Sequence, residues 1–260
     1  MGEFALGLLL GWISALLLGA AAAVLAYRRM VRLQERAKQA ERLAELGTLT
    51  GGLAHEIKNP LSTVQLNLQL LREDLMPNHA RLTTRLETAQ RETGRLREIL
   101  DDFLRYAGKL ELEKKPVDLN EMLQEMVDFF APQALASHVQ LRLKPSEGPF
   151  VANVDEKLIK QAVLNLMLNG VQAMERNGGG ELIVGASRHG NQAIIEVMDT
   201  GMGIEPAAAQ RIFDAYYSTR KGGTGLGLAM TRRIVHEHGG RVDLSSEVGK
   251  GSVFRLHLPL

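Results

Sequence analysis

The 260-residue chain contains no cysteine, which excludes disulfides, thiolate metal sites and a cysteine nucleophile. It also lacks an excess of either charge, with 31 Lys+Arg against 30 Asp+Glu. No global electrostatic attraction toward nucleic acid follows, so none is expected as a direct partner, and any phosphate-bearing partner must be held by local chemistry. Hydrophobic residues at 45% and charged residues at 23% lie near globular averages, which rules out a disordered or collagen-like chain. The length allows one large domain or two small ones.

Charge is missing altogether from Phe4 to Tyr27, a run of 24 residues. At about 1.5 Å per residue such a helix crosses a hydrocarbon core of about 30 Å with some tilt. A cleaved signal peptide fits less well, because the run is too long and no basic leader precedes it. Residues 1–27 are therefore read as a transmembrane helix and 28–45 as a helical linker. Arg28, Arg29, Arg32, Arg36 and Lys38 follow the run, whereas only Glu3 precedes it, which predicts a single-pass protein with the remainder in the cytoplasm. Gly7, Gly11, Ala15, Gly19 and Ala23 recur every fourth residue. That ridge suits a close helix pair, and it equally suits the ordinary abundance of small residues in membrane helices.

From residue 46 the leucines at 46, 49, 53, 61, 68, 71 and 75, with Ile57 and Val64, keep steps of three or four, the spacing of an amphipathic helix. Met76-Pro77-Asn78 breaks the pattern, and a second apolar stripe runs through Leu82, Leu86, Ala89, Thr93, Leu96, Ile99, Leu100 and Phe103. Residues 46–110 thus read as an all-α hairpin. One hairpin cannot cover both stripes, so a homodimeric four-helix bundle is expected. His55 falls opposite the first stripe at about 100° per residue, with Asn59 and Ser62 on the same outward side. A zinc-protease reading of His55-Glu56 fails because residue 59 is Asn rather than a second His.

The string Gly51-Gly52-Leu53-Ala54-His55-Glu56-Ile57-Lys58-Asn59-Pro60-Leu61-Ser62 resembles the phospho-acceptor box of bacterial sensor histidine kinases, especially their nitrogen-regulation-type branch. The resemblance implies that His55 accepts a phosphoryl group with Glu56 beside it.

Beyond Pro116 the composition changes, and 16 of the 26 glycines lie between Gly170 and Gly251. Strand-like runs at Gln133–Leu143, Phe150–Val154, Leu182–Ser187, Ala193–Met198, Arg241–Ser246 and Ser252–Leu258 alternate with helical patterns at Leu119–Phe130, Glu156–Arg176, Ala207–Phe213 and Leu228–Glu237. Residues 116–260 are expected to form an α/β sandwich. Its helix from about Asp155 carries Asn165, Asn169 and Gln172, with Leu164, Leu168, Val171 and Met174 available for the buried side. The asparagines fit two readings, a solvated polar edge or amide oxygens for a phosphate-bound Mg²⁺.

Asp199-Thr200-Gly201-Met202-Gly203-Ile204 comes off a predicted strand. It is either an ordinary strand-end turn or a place where Gly201 and Gly203 admit a ligand and Asp199 accepts from an exocyclic amine. Gly222-Gly223-Thr224-Gly225-Leu226-Gly227-Leu228 leads into a helix, where backbone N–H groups can receive an anion. It lacks the Lys-Ser/Thr ending of a P-loop and the Rossmann setting.

Taken in order, Asn165 to Ala173, Asp199 to Gly203, Phe213 and Gly223 to Gly227 resemble the N, G1, F and G2 boxes of the histidine kinase ATP domain. This is the Bergerat-type fold shared with DNA gyrase, a mismatch-repair ATPase and a heat-shock chaperone. The resemblance implies ATP and Mg²⁺ as cofactors, with Asn169 and Asn165 toward the metal and phosphates, and Arg220 and Lys221 as further phosphate contacts in a lid from Asp214 to Gly223. It also implies autophosphorylation of His55, transfer to an aspartate of a response regulator, dephosphorylation of that regulator with help from Asn59, and placement in the bacterial inner membrane. A dimeric switch gated by nucleotide without kinase activity is the alternative. Gly170 stands where Ala is usual, and Asp214-Ala215-Tyr216 replaces acid-Pro-Phe, which bears on lid packing and nucleotide affinity.

Overall fold

The structure is a computed structural model that describes Met30 and residues 57–71, 79–108, 110–175, 178–219 and 223–260. The chain divides into two compact units, Met1–Gly52 and Leu53–Leu260. The predicted membrane span, the linker apart from Met30, His55, Glu56, the Met76–Asn78 loop, Arg220 and Lys221 lie outside the described residues. Among the described residues no helix is long and apolar enough to cross a membrane.

Residues 57–71 form helix α1. Asn59 and Ser62 are exposed on it, as their spacing predicts. Ser62 and Thr63 hydroxyls donate back to the carbonyls of Lys58 and Asn59 at 2.8 and 3.2 Å. Helix α2, His79–Ala107, follows. Within this chain the two apolar stripes are only partly covered. Ala89, Ile99 and Tyr106 are buried, whereas Leu61, Leu68, Leu86 and Leu100 are each 44–53% exposed.

The remainder is a two-layer sandwich. Strand β1 (Lys115–Asp118) pairs antiparallel with β3 (Val151–Val154), placing Val117 opposite Ala152. A five-stranded sheet runs in the order β2-β4-β5-β7-β6, from β2 (Val139–Lys144), β4 (Gly180–His189), β5 (Gln192–Asp199), β6 (Arg241–Glu247) and β7 (Gly251–Pro259). Only the β2–β4 pair is parallel. Helices α3 (Leu119–Ala136), α4 (Glu156–Met174) and α6 (Gly227–Glu237) pack on this sheet, and a single turn, α5 (Pro206–Ala209), lies between β5 and α6. Alternation sets the core. Ala193, Ile195 and Val197 of β5 meet Phe254, Leu256 and Leu258 of β7 on the buried side.

The sequence pattern misses in three places. Residues 133–136, expected in a strand, extend α3, because its buried stripe through Met122, Met126, Val127 and Phe130 continues to Ala134. The first strand of the sandwich, β1, is short and half polar, and therefore carries no alternation signal. On α4 the buried residues are Ile159, Ala162, Val163, Leu166, Met167, Gly170, Val171 and Met174, while Leu164 and Leu168 are half-buried. The stripe is rotated toward the sheet, and Asn165 and Asn169 sit at its shoulder.

The chain enters the sandwich through residues 110–114, which are tied down by a buried pair. Asp155 caps α4 by accepting from the Leu158 N–H at 3.1 Å, and its second oxygen accepts the Glu113 N–H at 2.9 Å. The Asp155 N–H donates to His238 Nε2 at 3.0 Å, and His238 Nδ1 lies 2.8 Å from the Ile234 carbonyl. Nε2 is thus an acceptor and Nδ1 carries the proton. Burial, aided by the Lys114 charge, holds the His238 pKa below its ordinary value. Nearby, Lys115 and Lys160 both bond the Glu156 carboxylate, at 2.6 and 2.8 Å, and draw its pKa down to about 2.

Candidate nucleotide site

The first of the four boxes is bonded directly to two of the others. The Asn165 Nδ2 group donates to the Gly227 carbonyl at 3.1 Å, joining the middle of α4 to the first turn of α6. The Thr231 hydroxyl strengthens this joint, lying 3.0 Å from the Gly227 carbonyl and 3.4 Å from that of Ala162. With Nδ2 committed, the Asn165 side chain keeps one hard oxygen acceptor, Oδ1.

One turn further along α4 stands Asn169, half-buried, and one turn beyond that Ala173 meets the turn after β5. The Met202 N–H donates to the Ala173 carbonyl at 3.2 Å. Asp199 takes its place in the β5 alternation, so its carboxylate lies on the helix side of the sheet, 5% exposed. Its Oδ1 accepts the Gly201 N–H at 2.8 Å and closes the turn. Both glycines of the turn are required by close approach. A Cβ at Gly201 would lie 2.7 Å from the Ala173 Cβ, and one at Gly203, where φ is +70°, would lie 2.1 Å from the Glu247 carbonyl oxygen.

The glycine-rich loop is anchored at its far end. Gly225 adopts φ +66°, and a Cβ there would meet the Tyr216 and Tyr217 backbone at 2.6–2.8 Å. Leu226 is 1% exposed and stands at the N-cap of α6, yet no side chain caps that helix end. The first turn of α6 therefore leaves backbone N–H groups and the positive end of the helix dipole available to an anion. Thr224 Oγ1 accepts the Leu226 N–H at 3.4 Å. Phe213 packs edge-on against Phe254 at 6.3 Å, with the Arg232 guanidinium 5.8 Å from its ring centre. Phe213 thus joins the sandwich core to the segment that precedes the loop.

Asn165, Asn169, Asp199, Gly201, Gly203 and the Gly223–Gly227 loop accordingly gather along one side of α4. Asn59 lies on α1, exposed. Sequence reasoning missed two contributors. Leu182, the register partner of Asp199, fills the space beside Gly170, where a Cβ would lie 2.7 Å from Leu182 Cδ1. A glycine inside an otherwise good helix was the available signal. Asp102 of α2 reaches the glycine-rich loop, its Oδ2 accepting from the Thr224 hydroxyl at 2.9 Å, and nothing in the α2 pattern marks it out.

An α/β sandwich with an uncapped glycine-rich helix start, an asparagine-bearing helix and a buried acid at a glycine turn, preceded by a helical hairpin, defines a nucleotide-binding phosphotransfer class. Residues 45–111 match the His Kinase A (phospho-acceptor) domain family, and residues 154–260 match the histidine kinase-, DNA gyrase B-, and HSP90-like ATPase family. The chain belongs to the sensor histidine kinases of two-component systems. It is 34% identical over 238 residues to the sensor histidine kinase ZraS of Escherichia coli K12, covering 90% of this chain and 50% of ZraS. The chain spans about half the length of the curated relatives it matches.

Histidine kinase ThkA, solved in complex with the response regulator protein TrrA, superposes with a TM-score of 0.73 at 25% identity, over 88% of this chain and 66% of that one. Full-length ShkA in complex with AMPPNP gives 0.61 at 28% identity, over 80% of this chain and 44% of that one.

Proposed function

We propose that the chain is an ATP-dependent protein histidine kinase of the nitrogen-regulation-type branch, homodimeric, anchored in a bacterial cytoplasmic membrane by residues 1–27 and continuing through the linker 28–45. Residues 46–110 form its dimerisation and phosphotransfer domain and residues 116–260 its ATP-binding domain. The observation that carries this reading is the Asn165–Gly227 bond, which sets the asparagine face of α4 against the uncapped start of α6. The partner and ligand classes are those in which ThkA and ShkA have been solved, a response regulator and an adenine nucleotide. The half-exposed leucines of α1 and α2 support the dimer, since a second hairpin would cover them.

In this reading Asp199 accepts from the exocyclic amine of adenine, and the α6 N-terminus with Thr224 receives the phosphates, aided by Arg220 and Lys221. The donor set fits Mg²⁺, a hard cation that takes amide oxygens and retains water; Asn169, with Asn165 Oδ1, would hold it, and when bound it neutralises charge on the transferring group. A neutral ring nitrogen of His55 attacks the γ-phosphorus, forming a P–N bond as the bond to the β-phosphate oxygen breaks and ADP leaves. Glu56 orients the ring and takes the proton of the other nitrogen. The phosphoryl group then passes to the regulator's aspartate.

Incubation with γ-labelled ATP and Mg²⁺ tests this. Label on the wild type but not on His55→Gln, lost in acid and kept in alkali, is the expected result. Nucleotide binding with no label on either protein would overturn the kinase reading in favour of a nucleotide-gated switch.

A further inference from the structure

We propose that Asp102 of the hairpin is a negative regulator of the nucleotide site, a carboxylate that competes with nucleotide phosphate for Thr224 and the start of α6. The proposal rests on the nucleotide reading of that site. Two contacts, on separate side chains, hold the end of α2 against α6. At one, the Thr224 hydroxyl donates to Asp102 Oδ2 at 2.9 Å. At the other, the Arg233 guanidinium donates to the carbonyl of Gly108 at 2.7 Å and to that of Tyr106. The Tyr106 ring is buried with the Arg233 guanidinium 5.6 Å from its centre.

Each contact has a chemical reason. Carbonyls at the end of a helix have no partner within it, and Arg233 supplies one from the other domain. The Thr224 hydroxyl has a single proton, and it is committed to Asp102 while its lone pair receives the Leu226 N–H. A phosphate oxygen arriving at this loop needs that same proton, and it brings a second anion to a helix end that already faces a half-buried carboxylate. The two anions therefore exclude one another. Nucleotide binding loosens α2 from α6, and by reciprocity docking of α2 weakens nucleotide binding. The hairpin end thereby becomes a place where a rearrangement of the dimer alters nucleotide affinity without touching the base pocket.

The test measures binding of a non-hydrolysable ATP analogue to the full chain by calorimetry, for wild type, Asp102→Ala, Asp102→Asn and Arg233→Ala. Asp102→Ala is expected to tighten binding about fivefold or more, with Arg233→Ala changing it in the same direction. Asp102→Asn, which keeps an acceptor oxygen without the charge, should fall between wild type and Asp102→Ala. The cysteine-free sequence also allows paired spin labels on Arg105→Cys and His236→Cys, whose separation should lengthen or broaden when the analogue binds. Equal or weaker binding by Asp102→Ala, or an unchanged label distance, overturns the proposal while leaving the nucleotide site intact. If neither wild type nor variants bind the analogue, the nucleotide reading fails and the proposal falls with it.

Discussion

Asn165 and Gly227 are 62 positions apart in sequence, yet the side-chain amide of one donates to the backbone carbonyl of the other at 3.1 Å. The bond fixes where α6 begins relative to α4, and hence where its free N–H groups face. Asn165→Asp sets an anion against that carbonyl and beside the phosphate end of the site. Affinity for ATP should fall at least about tenfold, which corresponds to about 1.4 kcal/mol. Calorimetry on a variant with an unaltered far-ultraviolet spectrum checks it, and wild-type affinity would show that the bond does not shape the site.

Asp199 serves two ends that substitution can separate. Its Oδ1 closes the turn through Gly201, whereas the proposed base contact uses the other carboxylate oxygen, Oδ2, which an amide would replace with an N–H donor. Asp199→Asn retains an oxygen for the turn, so its melting temperature should stay near wild type while ATP binding drops about tenfold or more. Asp199→Ala should lose both, because the buried Gly201 N–H is left without its acceptor. Equal losses of stability in the two variants would contradict this division.

Gly170 and Leu182 belong together. A Cβ at 170 would sit 2.7 Å from Leu182 Cδ1 and 3.4 Å from the Asp199 Cβ. In a helix interior Ala is favoured over Gly by about 1 kcal/mol, so the glycine is present for space. Because the crowded atom ends a flexible side chain, Gly170→Ala should change stability by no more than about 1 kcal/mol. The displaced leucine is itself the register partner of Asp199, so nucleotide affinity should shift severalfold. Adding Leu182→Val makes room and should restore it; a double variant as altered as the single one would place the effect elsewhere.

On α1, Asn59 is exposed, four positions after His55 in sequence. If it positions the water that hydrolyses the regulator's phosphoryl group, Asn59→Ala should autophosphorylate normally and dephosphorylate the regulator at least about tenfold more slowly. Following labelled regulator with time separates the two activities. Unchanged dephosphorylation would remove Asn59 from that step.

Local chemistry made much of this legible in the sequence. Asp199 follows the alternation of β5 and precedes two glycines, so both its burial and its turn could be read from neighbouring residues. The apolar stripes of α1 and α2 likewise announce themselves by period, and they remain half uncovered within one chain because their complement is proposed to come from another. What could not be read is long-range. Asp102 meets Thr224 across 122 positions, and Arg233 meets Tyr106 across 127, through residues that look like ordinary helix-surface polar groups. Pro132 shows a different failure. The sequence pattern ends a helix at Phe130 and starts a strand at Gln133, yet α3 runs through Pro132 because Phe130 and Ala134 continue the buried stripe on both sides.

His238 should make the fold less stable in mild acid. Its Nε2 must be unprotonated to accept the Asp155 N–H, and burial, with Lys114 adding to it and Asp155 and Glu237 opposing it, holds its pKa below the ordinary value. The unfolded chain takes up a proton at about pH 6.5, where the folded chain still refuses it. Above that pH the residue is neutral in both states and adds no pH dependence. As pH falls below it, stability is lost progressively until the lowered folded pKa is reached. His257, also held low by burial and Arg241, acts in the same direction. Urea unfolding at pH 8 and pH 5.5 should therefore show a drop for wild type that His238→Gln reduces, by at most about 1.4 kcal/mol per pH unit. The His238→Gln, His257→Gln pair should be flatter still. A wild-type slope that neither substitution reduces would mean that some other group governs the acid transition.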